Sequence, residues 1–281
     1  MSEDTNELRD EFRARPIDGK VNLAGYDPAR TPFMDDEDDA EDELEDDLAD
    51  ELFDLHELVF ARKEESVLLV LQGLDCSGKN GTIKHVVTTM NPAGVRTASF
   101  TAPTEEEAEE HFLWRIRNEL PDPGQLGVFD RSHYEDVLVP MALETMTADE
   151  IEQRIEEINE FEQELTDAGT VIVKCMLHIS FDEQRYRFLR RLLRDDKRWK
   201  FDPGDVETRR HWNEYQAAYG RVIAATSTEH APWYIIPADH KWYRNWAIAK
   251  LLIETFRSMG LAYPQPDFDV EAMRAALEAP N

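Results

Sequence analysis

The stretch Ser66-Val67-Leu68-Leu69-Val70-Leu71-Gln72 runs directly into Gly73-Leu74-Asp75-Cys76-Ser77-Gly78-Lys79-Asn80-Gly81. The first part is a short, continuous apolar run, as a strand buried on both faces requires. The second has the frame G-x-x-x-x-G-K, and after it the chain reads as helical to Met90. Strand, glycine-rich turn and helix in this order make a phosphate cradle. The glycines let the backbone curl so that N–H groups point at phosphate oxygens, and the helix N-terminus adds partial positive charge. Gly73, Ser77, Gly78, Asn80 and Gly81 are the candidate cradle residues, and Lys79 is placed to reach the terminal phosphates. A glycine turn without a ligand is the bland alternative; the lysine and the strand–helix context argue against it.

The loop departs from the nucleotide-triphosphatase pattern at Asn80, where Ser or Thr would bind Mg²⁺. Another oxygen must take over. Asp75 lies inside the loop, and an acid there repels phosphate unless a cation stands between them, so a metal is expected. A second apolar run, Leu126-Gly127-Val128-Phe129, ends in Asp130-Arg131-Ser132. Asp130 is the second candidate Mg²⁺ ligand, and Arg131 is placed to neutralise charge on a transferring phosphoryl group.

Further strands are expected at Arg96–Phe100, at Thr170–His178 and at the WYII run between Pro232 and Pro237. Helices are expected over Thr104–Leu120, within Tyr134–Ala168 with an N-cap at Thr147, and over Phe181–Arg194, Val206–Ala225 and Tyr243–Met259. This alternation predicts an α/β fold, a parallel sheet covered by helices on both faces. Residues 1–35 read as a loose arm, and 36–62 as an acidic amphipathic helix with Leu44, Leu48, Leu52, Leu55, Leu58 and Val59 on one face. Residues 63–262 form the phosphate-loop domain and 263–281 a tail with a short helix.

Composition narrows the function classes. Sixty acidic residues against 31 basic ones leave a formal net charge of −29. Such a surface argues against binding to nucleic acid, and one physical reading is adaptation to a salt-saturated cytoplasm. No apolar run is long enough for a membrane span, and Met1–Arg15 lacks an apolar secretory core. A soluble cytoplasmic protein is expected, with no membrane partner; a homo-oligomer is left open. Cys76 and Cys175 form no metal-site spacing, and Cys175 reads as a core residue. Against this acidic background, Arg185, Arg187, Arg190, Arg191, Arg194, Lys197, Arg198 and Lys200 stand close together. A solvated helix face is the usual reading of such a run, but a polyanionic ligand suits it better here.

The loop GLDCSGKNGTIKHV together with NPAGV (91–95), APTEEE (102–107), FLWRI (112–116), FDRSHYEDVLV (129–139), KRWKFDPGD (197–205) and APWYIIPADHKWYRNW (231–246) resembles the polyphosphate kinase 2 family. The resemblance runs in order from about residue 65 to 258. It implies a P-loop kinase-like three-layer α/β/α fold, a five-stranded parallel sheet and a helical lid at about 185–210. It also implies Mg²⁺-dependent phosphoryl transfer between inorganic polyphosphate and nucleoside mono- or diphosphates. By that resemblance Asp75 and Asp130 bind metal and Lys79 and Arg131 serve the phosphates. Arg187, Arg191, Lys197 and Lys200 belong to the lid and the polyphosphate path. Arg115, Arg131 and Glu135 stand on the nucleotide side, and Glu135 matches the members that take AMP as well as ADP. Asp195 departs from the proline often found there, and the acidic 35–54 block has no counterpart in the resemblance. Two rival readings remain at this stage: an ATP-dependent kinase on the same fold, and a non-catalytic nucleotide-binding regulator.

Overall fold

The computed structural model describes residues 7–279. Its helices are α1 Glu7–Phe12, α2 Glu37–Glu45, α3 Asp47–Arg62, α4 Lys79–His85, α5 Glu105–Glu109, α6 Trp114–Arg117 and α7 Glu135–Ala142. They continue with α8 Ala148–Asp167, α9 Phe181–Leu193, α10 Gly204–Arg210, α11 Trp212–Thr226, α12 Lys241–Ser258 and α13 Val270–Glu278. The strands β1 Ser66–Gln72, β2 Val95–Ser99, β3 Leu126–Asp130, β4 Thr170–His178 and β5 Trp233–Pro237 form one parallel sheet in the order β2-β3-β1-β4-β5. The chain thus switches direction across the sheet at β1, and the carboxyl end of such a strand is where α/β folds open a ligand crevice. The Gly73–Gly81 loop begins there.

The apolar runs become strands because both faces are covered. One core layer joins Val67, Leu69 and Leu71 to Leu52, Val59, Ile248 and Leu252 under α3 and α12. The other joins Leu68 and Val70 to Val137, Ile158, Phe161 and Val222 under α7, α8 and α11. Within the second layer Lys174 of β4 is buried. Its ammonium donates to Glu162 (2.5 Å), the Tyr134 hydroxyl (3.0 Å) and the Thr226 carbonyl (2.7 Å), so all three N–H groups have partners. Burial pushes the Glu162 carboxyl up, but Lys174 and His133 outweigh it and hold it below the usual range.

Several element bounds differ from the sequence reading. The 36–62 helix is two helices, because Asp46 adopts non-helical backbone angles between α2 and α3. The helix expected over 104–120 breaks into α5 and α6: the run Glu105–Glu109 has no apolar face to bury, while Leu113 and Ile116 are drawn into the core. The long helix over 206–225 is interrupted at His211. At Thr147 the expected cap is present as a capping box with Glu150.

Residues 7–35 are not loose; residues 1–6 of the arm lie outside the described residues. Leu8 and Phe12 are buried, Ala14 N–H donates to the Trp233 carbonyl (2.8 Å), and Val21 N–H donates to Gly220 (3.0 Å). The arm lies beside β5 through an antiparallel bridge, Arg13 to Tyr234. Covering an open sheet edge satisfies backbone groups that would otherwise be exposed, which orders a polar segment. Gly220 is required here, since a Cβ would stand 2.3 Å from the Val21 carbonyl oxygen. The acidic helices are tied to α12 by Glu43 with Lys250 (2.5 Å) and Trp246 (2.7 Å), and by Glu51 with Arg257 (2.5 Å).

Candidate active site

A cavity of about 650 Å³ opens above the carboxyl ends of β1 and β3. Asp75, Gly78, Lys79, Asn80 and Gly81 of the loop line it, with Asp130 and Arg131 from the end of β3. Arg187, Arg191, Lys197 and Lys200 line it from α9 and the turn after it, together with Arg190 and Arg194. The sequence-expected loop, strand end and basic run therefore meet in one place.

The loop is shaped by steric necessity. Gly73 and Gly78 have φ of +143° and +112°, which only glycine adopts without strain. A Cβ on Gly73 would stand 2.7 Å from the Leu177 carbonyl oxygen. Cys76 also has positive φ, and burial pushes its thiol up to about 11, so it is a packed, un-ionised residue. Lys79 is buried and donates to the Gly73 carbonyl (2.8 Å), folded back over the loop. Ser77 is fully buried, and its hydroxyl and that of Thr82 lack partners among the described residues. Gly73 and Ser77 support the loop from beneath rather than line the cavity.

Arg131 follows Asp130 with φ of +63°, its N–H held by the Leu71 carbonyl (3.0 Å), and its guanidinium donates to Asp75 (2.6 Å). Burial lowers the Arg131 pKa, but Asp75, Glu135 and Asp130 together hold it above the ordinary value. The ion pair leaves Asp75 and Arg131 in mutual contact at the cavity wall. Asp205 of α10 reaches the same wall, and burial and then the charge of Asp75 push its carboxyl up. Among the described residues no three His, Cys, Asp or Glu side chains converge as a metal cage. Asp75 and Asp130 nevertheless fit Mg²⁺ in the way phosphoryl-transfer sites hold it, with one or two carboxylates and the remaining ligands from phosphate and water.

Glu135 and Arg115 lie outside this lining. Glu135 opens α7 behind Arg131; the Gln72 carboxamide, oriented by its hydrogen-bond network, donates to it (2.9 Å) and accepts from Ser132 N–H (3.1 Å). Burial raises the Glu135 carboxyl against the pull of Arg131 and Lys79. Arg115 is buried and donates to Asp136 (3.0 Å) and the Thr101 carbonyl (2.8 Å), tying the 100–107 segment to α7.

Arg187, expected on the polyphosphate path, lines the cavity but spends its donors inside the protein as a buried clamp. Nη1 donates to the Cys76 (2.8 Å) and Ser77 (3.3 Å) carbonyls, Nη2 to Ala238 (2.7 Å) and Asp239 (2.7 Å), and Nε to Glu183 (2.7 Å). All five of its N–H groups are engaged, because the carbonyls of the loop and of the β5–α12 turn face inward and need donors. Lys84, His85, Ser99, Lys241 and Arg244 line the cavity and were not foreseen. Lys241 and Arg244 carried one signal in the sequence: two cations three residues apart in the first turn of a helix, ahead of the apolar run Trp246–Ala249.

The sequence profile of the polyphosphate kinase 2 family matches residues 34–262. The chain is 46% identical over 256 residues to an AMP/ADP-polyphosphate phosphotransferase of Meiothermus ruber, covering 91% of this chain and 96% of that protein. It is 39% identical over 224 residues to an ADP-polyphosphate phosphotransferase of Rhodopseudomonas palustris, covering 75% and 78%. The crystal structure of polyphosphate kinase 2 from Arthrobacter aurescens TC1 superposes with a TM-score of 0.92 at 41% identity, covering 96% of each chain. With loop, strand-end acid and basic wall brought into one cavity on this fold, the chain belongs to the polyphosphate kinase 2 family.

Proposed function

We propose that this protein transfers phosphoryl groups between inorganic polyphosphate and AMP or ADP. The observation that carries the reading is the single cavity in which the phosphate loop faces Arg190, Arg191, Arg194, Lys197 and Lys200. A triphosphate occupies a loop and one or two cations; a wall of cations continuing past the loop suits a longer polyanion.

The reaction asks the protein for positioning and charge neutralisation more than for covalent chemistry. Loop N–H groups and Lys79 hold the donor's terminal phosphates. Arg131, released from Asp75 by the arriving oxyanion, contacts the transferring phosphoryl group. Asp75 and Asp130 would hold Mg²⁺, whose chemistry there is to neutralise the phosphoryl oxygens. Glu135, with its raised carboxyl, orients the acceptor, and Arg115 keeps the acceptor side in place through Asp136. The segment 185–210 acts as the lid, and residues 63–262 as the transfer domain. The acidic surface suits a cytoplasm of high ionic strength.

A donor–acceptor matrix tests the reading: polyphosphate or ATP against AMP, ADP, GMP and GDP, with and without Mg²⁺. Turnover of AMP and ADP with polyphosphate as sole donor is expected. Turnover only with ATP would establish the ATP-dependent kinase instead, and none with either donor the regulator.

A further inference from the structure

Arg244 lies in α12 with its side chain buried at 2% exposure. An arginine so deep is ordinarily paired with a carboxylate. Here Nη1 donates to the Ser77 carbonyl (3.2 Å), and Nε and Nη2 donate to Asn245 Oδ1 (3.3 and 2.7 Å). These acceptors are neutral, and no carboxylate pairs with the guanidinium among the described residues. The group packs directly against the phosphate loop and lines the same cavity. A Cβ on Gly78 would meet Nη1 at 1.7 Å, and one on Gly81 would meet Nη2 at 2.7 Å. The glycines of this turn therefore serve close approach of a cation as well as backbone curl.

Its neighbours are also cations. Burial, then the charges of Arg187, Arg190 and Arg244, lower the Lys241 pKa. Burial, then Arg187, lower that of Arg244 to about 9. Arg187 has Glu183 as counter-ion at 2.7 Å; Arg244 has none among the described residues. Three cations, Arg187, Lys241 and Arg244, are thus gathered against the loop, with burial and mutual repulsion both acting on Arg244 and Lys241.

We propose that Arg244 is a positioning residue of the transfer site: it braces the Gly78–Gly81 turn and supplies against it positive charge that the donor's phosphate oxyanions, not a protein carboxylate, neutralise. The inference rests on polyphosphate as donor. It adds cations from α12 to those that α9 and the turn after it bring to the same cavity.

The test compares wild type, Arg244→Met and Arg244→Lys. Melting temperature is measured with and without tripolyphosphate, and KM is measured separately for polyphosphate and AMP. In Arg244→Met the polyphosphate KM rises about tenfold or more, equivalent to about 1.4 kcal/mol. The AMP KM stays within about twofold, and the tripolyphosphate-induced rise in melting temperature falls to about half or less. Arg244→Lys keeps the charge and loses the fork, so its polyphosphate KM rises only a few-fold. An unchanged polyphosphate KM and thermal rise in Arg244→Met would overturn the proposal. So would a lower ligand-free melting temperature in both variants with the ligand-induced rise intact, which is the signature of packing alone. If Arg244→Met does not fold, Arg244→Lys decides: an unchanged polyphosphate KM there overturns it. Absence of wild-type turnover with polyphosphate would sink the functional reading and leave the thermal shifts to judge Arg244.

Discussion

At the scale of single residues the site turns on how charge is placed around Asp75. An acid within a phosphate loop is tolerable only with a cation beside it, and here that cation is Arg131 at 2.6 Å. The proposed catalytic state exchanges this partner for Mg²⁺ and leaves Arg131 to the phosphoryl group. Asp75→Asn should therefore remove most Mg²⁺-dependent transfer, by ~10²–10³ in rate. The fold should survive, since Asp75 is partly exposed. Turnover near the wild-type rate, with an unchanged melting temperature, would show that Asp75 holds no metal. Residue identity alone pointed to Asp75, Lys79 and Asp130, and all three line the cavity, because their placement depends on a local loop and on a strand end. Arg187 shows the limit. A basic residue in a basic run reads as a ligand contact, and only the folded chain reveals four backbone carbonyls around it.

At the scale of elements, α9 divides in function along its length. Its first half is fastened to the loop by Arg187 and by Gln184, which donates to the Asp75 carbonyl (3.0 Å). Its second half and the turn beyond expose Leu192, Leu193 and Trp199 beside Arg191, Arg194, Lys197 and Lys200. Arg191 holds the Lys200 carbonyl (3.2 Å), so the cations of the turn are presented together. Each charge-assisted phosphate contact is worth ~1.5–3 kcal/mol, so Arg191→Ala/Lys200→Ala should lower polyphosphate kcat/KM by roughly 10²-fold. The loss should shrink with short chains, and acceptor affinity should change less. Equal losses for long chains and triphosphate would confine these residues to the transferring phosphate; no loss would make the run a solvated face. Strand positions were legible from their apolar runs. The breaks at Asp46, Glu110 and His211 were not, because helix continuity depends on what each turn finds to pack against.

At the scale of the whole molecule the net charge of −29 dominates. Some carboxylates are used: Asp36 caps α2, while Glu43 and Glu51 fasten the acidic helices to α12. Many others face solvent on α2 and α3 and repel one another over distances that salt screens. Melting temperature should therefore rise from low salt to molar KCl, and a flat or falling curve would leave the acidic block as a local feature. The sequence by itself determined the layered α/β plan, the phosphate loop and its acids, since apolar runs, glycine spacing and a strand-end Asp act within a few residues of one another. Tertiary structure alone decided which cations of the cavity also brace the loop, why the N-terminal arm is ordered, and that α12 brings Lys241 and Arg244 to the loop. Those outcomes join residues far apart in the chain, such as Ser77 and Arg244 at 3.2 Å, and burial and partner supply appear only once the layers close over the sheet.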